Sequence, residues 1–283
     1  MLGSALTKYL SQEQNEVFEF NRLGKAIVPG NVSRVLDITN EKSIDEFLVQ
    51  ENFNYVINGI GLIKQLIDVD SDADMNLAYR VNSDFPLILN EYSEETSTPV
   101  IQIGTDCVYS GREGVYDESS EFDCTDIYGL SKVAGESRSK SLMTIRCSII
   151  GHEIQSKVSL MDWFLNQQKG AQVQGFTNHY WNGVTTLEFA RIVGGVIATG
   201  NVIRGTTHLV PADQVSKYEL LKLIAQDFNR LDILMEPVES PISVNRTLSS
   251  IYPERNSDLW LAAGYNQPPT IQEMVQNYAL WSE

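Results

Sequence analysis

The sequence predicts an α/β fold: a doubly wound parallel sheet joined to a smaller mixed α/β region. Three observations predict it. Up to residue 151, short apolar runs alternate with helical patterns, as successive strand–helix–strand units require. One of these runs closes on Gly104-Thr105-Asp106, at the carboxyl end of a strand, where open α/β sheets bind ligands. Tyr128 and Lys132 then follow at i, i+4 spacing on a predicted helix, which sets both side chains on one face.

The elements follow in order. Met1-Leu2-Gly3-Ser4-Ala5-Leu6 opens directly as a helix start. Glu16–Phe20 and Arg34–Ile38 read as strands, and Ser43–Gln50 as a short amphipathic helix. Tyr55–Asn58 is a buried strand ending in Gly59-Ile60-Gly61, small residues that let a ligand approach the backbone. A long helix is expected over Ala73–Glu94, a strand over Pro99–Ile103, a helix over Asp126–Arg138 and a strand over Met143–Cys147. After Gly151 the texture changes. Helical patterns at Ser159–Lys169, Thr185–Thr199, Ser216–Asn229 and Thr270–Trp281 alternate with short strands and with loops rich in Gly, Asn and Pro. Residues 1–151 are therefore expected to form the doubly wound domain, and residues 152–283 a smaller mixed cap partly interleaved with it.

Composition narrows the function. Of 283 residues, 42% are hydrophobic and 20% charged, ordinary for a globular chain. A formal net charge of -16 repels a phosphate backbone, so nucleic acid and anionic membrane are not expected as partners. Cys107, Cys124 and Cys147 lack both pairing and C-x-x-C spacing, which fits a reducing cytoplasm and no metal. His152, His179 and His208 are scattered without ligand spacing and read as structural.

The chemistry centres on Tyr128 and Lys132. A nearby ammonium favours tyrosinate, so Lys132 is expected to lower the phenol's pKa toward the working range. Such a phenol can pass a proton to a carbonyl oxygen that is taking up hydride. Thr105 could orient that carbonyl. Asn82, a poor helix former in the middle of the long helix, either supports a proton relay below Lys132 or has a structural role.

The segments Thr105-Asp106-Cys107-Val108-Tyr109-Ser110-Gly111, Tyr116-Asp117-Glu118, Tyr128-Gly129-Leu130-Ser131-Lys132, Gly135-Glu136 and Ile145-Arg146-Cys147-Ser148 occur in this order. Together they resemble extended short-chain dehydrogenases of the dTDP-4-dehydrorhamnose reductase family. The likeness continues more weakly at Tyr218–Ile224 and Asn245-Arg246-Thr247-Leu248.

The resemblance implies a Rossmann-type fold and a catalytic triad of Thr105, Tyr128 and Lys132. It implies NADPH, with NADH possible, reducing the 4-keto group of a nucleotide-linked deoxysugar on the way to cell-surface polysaccharide. On this reading Leu2, Gly3, Arg22, Asp37, Ile38, Asn58, Gly59, Ile60, Asn82 and Ser148 meet the cofactor, together with Tyr128 and Lys132. Arg22, placed to read the adenosine ribose, suits a 2′-phosphate, although it could equally be a solvated loop charge. Thr105, Asp106, Val108, Ile149, Trp181, Asn182 and Arg246 are the substrate candidates, and Trp181 serves core packing at least as well. A homodimer is possible.

Three departures from the family pattern matter. Thr105-Asp106-Cys107 lacks the glutamate that water elimination needs, which disfavours a dehydratase. Tyr180–Thr185 replaces the Gly-x-Pro-Thr of rhamnose-forming members, and Ile149 replaces a tryptophan, so the sugar stays open. Met1-Leu2-Gly3 looks like the tail of a G-x-x-G-x-x-G phosphate turn. A strand ending in Gly-x-x-Gly is therefore expected upstream of Met1, between the strands at Glu16–Phe20 and Tyr55–Asn58. The alternatives are an epimerase on the same scaffold, which would keep its oxidised cofactor, and a non-catalytic binding subunit. Intact Thr105, Tyr128 and Lys132 argue against the latter.

Overall fold

The computed structural model describes residues 1–49, 52–154 and 157–282. The expected helix end at Gln50 and the terminal Glu283 lie outside the described residues. The first half runs α1 (Leu2–Gln12), β1 (Phe18–Asn21), β2 (Val32–Val35), α2 (Glu41–Val49), β3 (Val56–Asn58), α3 (Asp72–Tyr79), α4 (Phe85–Thr96), β4 (Val100–Thr105), α5 (Ile127–Arg138) and β5 (Met143–Cys147). The second half runs β6 (Ile149–Ile150), α6 (Leu160–Leu165), β7 (Gln172–Phe176), β8 (His179–Trp181), β9 (Val184–Thr185), α7 (Thr186–Thr199), β10 (Gly205–His208), β11 (Val215–Ser216), α8 (Lys217–Asp227), β12 (Leu234–Val238), β13 (Val244–Asn245), α9 (Pro253–Ala262) and α10 (Ile271–Ser282).

The main sheet has the order β10-β5-β4-β3, and every pair in it is parallel. Alternate side chains of one strand point to opposite faces. Ile101 of β4 therefore packs with Leu2, Leu6 and Leu10 of α1 and with Val193 and Val196 of α7. Its neighbour Val100 packs with Phe85 and Leu89 of α4 on the other side. Helices thus cover both faces, which is why β4 reads as a nearly continuous apolar run. β1 and β2 form a separate parallel pair. Smaller sheets join β7 to β12, β6 to β9, and β8 to both β11 and β13.

Several boundaries differ from expectation for local reasons. The strand expected at Arg34–Ile38 ends at Val35, because Asp37 Oδ1 accepts from the backbone N–H of Thr39 at 2.9 Å and turns the chain. The long helix is interrupted by a π-helical turn over Arg80–Asp84, which joins α3 to α4. The helix expected over Ser159–Lys169 stops at Leu165. α9 was not expected from the sequence; its first turn, Pro253-Glu254-Arg255-Asn256, carries no apolar stripe. Among the described residues, no helix is long and apolar enough to cross a membrane.

Candidate active site

α5 carries Tyr128 in its first turn and Lys132 in its second. Asp126 caps the helix, its Oδ1 accepting from the Gly129 N–H at 2.9 Å, which fixes where the first turn begins. Two glycines bring α5 close to its neighbours. A β-carbon on Gly129 would stand 2.6 Å from the Cys107 carbonyl oxygen, and one on Gly135 would strike the Asn82 carbonyl. The helix therefore lies against the end of β4 on one side and the π turn on the other. Tyr128 is thereby brought close enough to Thr105 for the hydroxyl to act on the phenol.

Asn82 sits on the π turn, where the widened helix aims its carboxamide sideways. Its Oδ1 accepts from Leu62 N–H, and its Nδ2 donates to Leu62 O, both at 3.0 Å. Nδ2 also reaches Ser131 Oγ at 3.1 Å. The loop after β3 is thus held beside Lys132. A β-carbon on Gly61 would stand 3.2 Å from Lys132 Nζ, so the glycine keeps that approach open.

The electrostatics reverse one expectation. Tyr128 is raised, not lowered, from its ordinary pKa: burial dominates, and Cys107 and Asp106 push the same way against the Thr105 hydroxyl. Lys132 falls to about 8, chiefly through burial, with Glu136 one turn on opposing it. Burial also pushes the Cys107 thiol up to about 12 and raises Asp106, which Arg246 and Lys217 pull back down. The i, i+4 spacing could not show that desolvation outweighs the ammonium.

The cofactor candidates fall in two groups. Gly3, Arg22, Asp37, Ile38, Asn58, Gly59 and Ile60 line one cavity of about 1020 Å³. Gly59 lets α1 approach: a β-carbon there would stand 3.3 Å from Gly3 Cα. Asn58 braces the end of β3, donating to Gln102 Oε1 and accepting from Ile60 N–H, both at 3.0 Å. Arg22 acts electrostatically on Asp37, which lies below the usual carboxylate range mainly through its hydrogen bonds from Thr39. Leu2 is buried in the core packed on β4. Ser148 lies elsewhere, its Oγ accepting from Trp181 Nε1 at 2.9 Å.

The substrate candidates also divide. Asp106 and Arg246 face the tyrosine end of the cleft and act electrostatically on one another and on Cys107. Arg246 is anchored by Nε donating to Tyr109 O at 2.8 Å. Val108 is fully buried with Tyr109, Tyr116 and Leu248, and Ile149 packs beside the main core. Asn182 has both ends of its amide bonded to the Leu248 backbone, at 2.7 and 2.9 Å. Trp181 is buried, with Lys217 Nζ 5.6 Å from its ring centroid.

Lys217 was missed. It opens α8 behind a Ser216–Glu219 capping box and looks in sequence like a solvated first-turn lysine. In the fold its ammonium acts on Asp106 and Cys107, and burial lowers it to about 8. Among the described residues, no cluster of His, Cys, Asp or Glu could hold a metal ion.

No curated protein sequence matches the chain significantly. Solved structures do. A dTDP-4-dehydrorhamnose reductase from Bacillus anthracis str. Ames, in complex with NADP, superposes with a TM-score of 0.76 at 19% identity, covering 100% of this chain and 96% of that one. A dTDP-4-dehydrorhamnose reductase ortholog from Clostridium acetobutylicum gives 0.72 at 20% identity, covering 98% and 96%. A hypothetical dTDP-4-dehydrorhamnose reductase from Sulfolobus tokodaii gives 0.72 at 22%, covering 90% of each chain. These likenesses establish the shared fold. The model of the RmlD substrate binding domain matches residues 1–279, and the chain belongs to that family.

Proposed function

We propose that this protein is an NADPH-dependent reductase of the 4-keto group of a nucleotide-linked deoxysugar, with Thr105, Tyr128 and Lys132 as its catalytic residues. The observation that carries the reading is that α5, bearing Tyr128 and Lys132 one turn apart, is held by Gly129 against the carboxyl end of β4, where Thr105 lies. Family membership and a neighbour whose structure holds NADP support it.

The residues present fit a dinucleotide. Gly59 and Gly61 leave backbone bare where side chains would intrude, and Arg22 offers a cation at the far end of the cavity. Arg22, Asp37 and Ile38 would hold the adenosine end, Gly3 and Asn58 to Ile60 the middle, and Lys132 the nicotinamide ribose. When bound, the reduced cofactor supplies hydride to the keto carbon. Tyr128, raised by burial, holds its proton at neutral pH and gives it to the carbonyl oxygen as the alcohol forms. Thr105 orients that oxygen. Lys132 and Asn82 lie behind the phenol, placed to pass a proton back to it. Asp106, Lys217 and Arg246 surround the other side, where two cations suit an anionic sugar nucleotide.

On this reading residues 1–151 bind the dinucleotide and residues 152–283 form the cap. The net charge of -16 supports a protein with no nucleic-acid or membrane partner, and the sparse cysteines support a cytoplasmic enzyme; a homodimer is part of the same proposal. The test is NADPH oxidation measured with a panel of 4-keto nucleotide sugars. Turnover of one of them that Tyr128→Phe lowers by about 10²–10⁴-fold supports the reading, that being the usual contribution of a positioned acid.

A further inference from the structure

Three ionisable side chains beyond Tyr128 and Lys132 crowd the end of β4. Two of them, Asp106 and Cys107, ride on the short turn that follows Thr105. The Cys107 N–H donates to Thr105 Oγ1 at 3.2 Å, and its thiol reaches Asp106 Oδ1 at 3.7 Å. The Cys107 carbonyl packs on Gly129, the residue after Tyr128. Cys107 is thus fixed between the Thr105 hydroxyl and the helix that carries the phenol.

The third, Lys217, approaches from the other wall. It opens α8, in the second half of the chain, and its ammonium stands 5.6 Å from the Trp181 ring centroid. Asp106 and Cys107 both act on it electrostatically. Among the described residues, none accepts a hydrogen bond from it.

Cys107 and Lys217 hold their protons in opposite ways. Burial pushes the thiol up to about 12, so it keeps its proton at neutral pH. Burial lowers the ammonium to about 8, so part of it is free amine there. Neighbours whose environments drive their protonation apart are the arrangement of an acid beside a base. The proposed reduction uses neither, because Tyr128 supplies its proton. Carbon chemistry gives the pair a use. A keto group acidifies the hydrogens on the carbons beside it, and loss of one leaves an enolate with its charge on the carbonyl oxygen. Thr105 and Tyr128 are aimed at that oxygen, and donors fixed at a developing oxyanion stabilise it.

We infer that the site also moves a proton at carbon: Lys217 removes the hydrogen from a carbon beside the sugar's keto group and Cys107 returns one, so the protein epimerises that carbon before it reduces the ketone. The C–H bond breaks as the Lys217 amine takes the proton, and its electron pair becomes the enolate. The Cys107 S–H bond then breaks as a new C–H bond forms and the ketone is restored. This leaves an ammonium and a thiolate, and a proton passing between them by way of Asp106 resets both. No electron leaves the sugar, so the step needs no nicotinamide. Removal from one wall and return from the other inverts the carbon. The inference rests on the proposed binding of a 4-keto sugar at Tyr128.

The test is run in heavy water without NADPH, with dTDP-linked and UDP-linked 4-keto-6-deoxyhexoses. Mass spectrometry follows deuterium uptake, and NMR follows configuration. Uptake beside the carbonyl faster than in buffer, with inverted sugar appearing, is the expected result. Cys107→Ser should slow inversion by about 10²–10⁴-fold, the usual contribution of a positioned acid, while NADPH oxidation with the same sugar continues. Uptake no faster than in buffer would overturn the inference. So would uptake without inversion, or inversion that Cys107→Ser leaves intact. NADPH oxidation without uptake would sink this inference alone, and uptake with inversion but without NADPH oxidation would sink only the reductase reading.

Discussion

The Asn82 carboxamide grips both backbone groups of Leu62, each at 3.0 Å, and so ties the π turn to the loop that follows β3. Replacing it by leucine keeps the branched shape but leaves two backbone groups of Leu62 without their partner. Each buried group left unpaired costs about 1–3 kcal/mol. Asn82→Leu is expected to lower the urea midpoint accordingly and to weaken NADPH binding through the loosened loop. An unchanged midpoint would show that Leu62 finds other partners.

Gly135→Ala should be worse than its single methyl suggests. The added carbon meets the Asn82 carbonyl, so α5 must move away from the π turn. Overpacking of this kind costs about 1–3 kcal/mol, and the shift displaces Lys132 as well. Thermal unfolding and kcat are expected to fall together.

Arg146 is fully buried and pairs with Glu136, with Tyr109 Oη at 2.7 Å and with His208 Nε2 at 2.6 Å. Its guanidinium can only donate, so His208 Nε2 accepts and Nδ1–H donates to Ser249 O at 2.7 Å. Arg146→Met leaves the Glu136 charge unpaired and is expected to cost about 3–5 kcal/mol. Adding Glu136→Gln should recover part of that loss, measured as a double-mutant cycle.

The same network sets acid stability. Burial first, and Arg146 second, lower His208 to about 4 from its ordinary 6.5. Between those values the unfolded chain binds more protons than the folded one, so stability falls as pH drops from about 6.5 to 4. His208→Gln should flatten that slope in urea titrations. Lys132 acts in the alkaline range: its pKa of about 8 lies below the ordinary 10.5, so its contribution to stability rises with pH across that window. Its positive charge is lost above pH 8. The KM for NADPH is therefore expected to climb there, and Lys132→Arg should move the rise to higher pH.

Lys217→Met tests the anionic end of the cleft. Hydrogen bonds to charged groups are worth about 1.5–3 kcal/mol, so KM for the nucleotide sugar should rise at least about tenfold with little change in KM for NADPH. Equal changes in both would place Lys217 outside substrate binding.

Much of this was legible in the chain. Val100–Thr105 and Met143–Cys147 announce themselves as short runs rich in apolar residues, since strands covered on both faces bury most of their side chains; Gln102, Thr144 and Arg146 are the buried polar exceptions. Tyr128 and Lys132 share a helix face by spacing alone. What escaped depended on neighbours distant in sequence. Lys217 gains its environment from Asp106 and Cys107, over one hundred positions away. The π turn was missed although Pro86, in the first turn of α4, breaks the hydrogen-bond pattern of a continuous helix and so marks it. The rise of the Tyr128 phenol comes from burial beneath Cys107 and Asp106, which no i, i+4 pattern reports.

The most direct measurement is the rate of NADPH oxidation in the presence of a 4-keto nucleotide sugar, for the protein and for Tyr128→Phe. Hydride consumption matched by formation of the 4-hydroxy sugar, and cut by at least about a hundredfold in the variant, is the expected result. Full turnover by Tyr128→Phe would contradict the account.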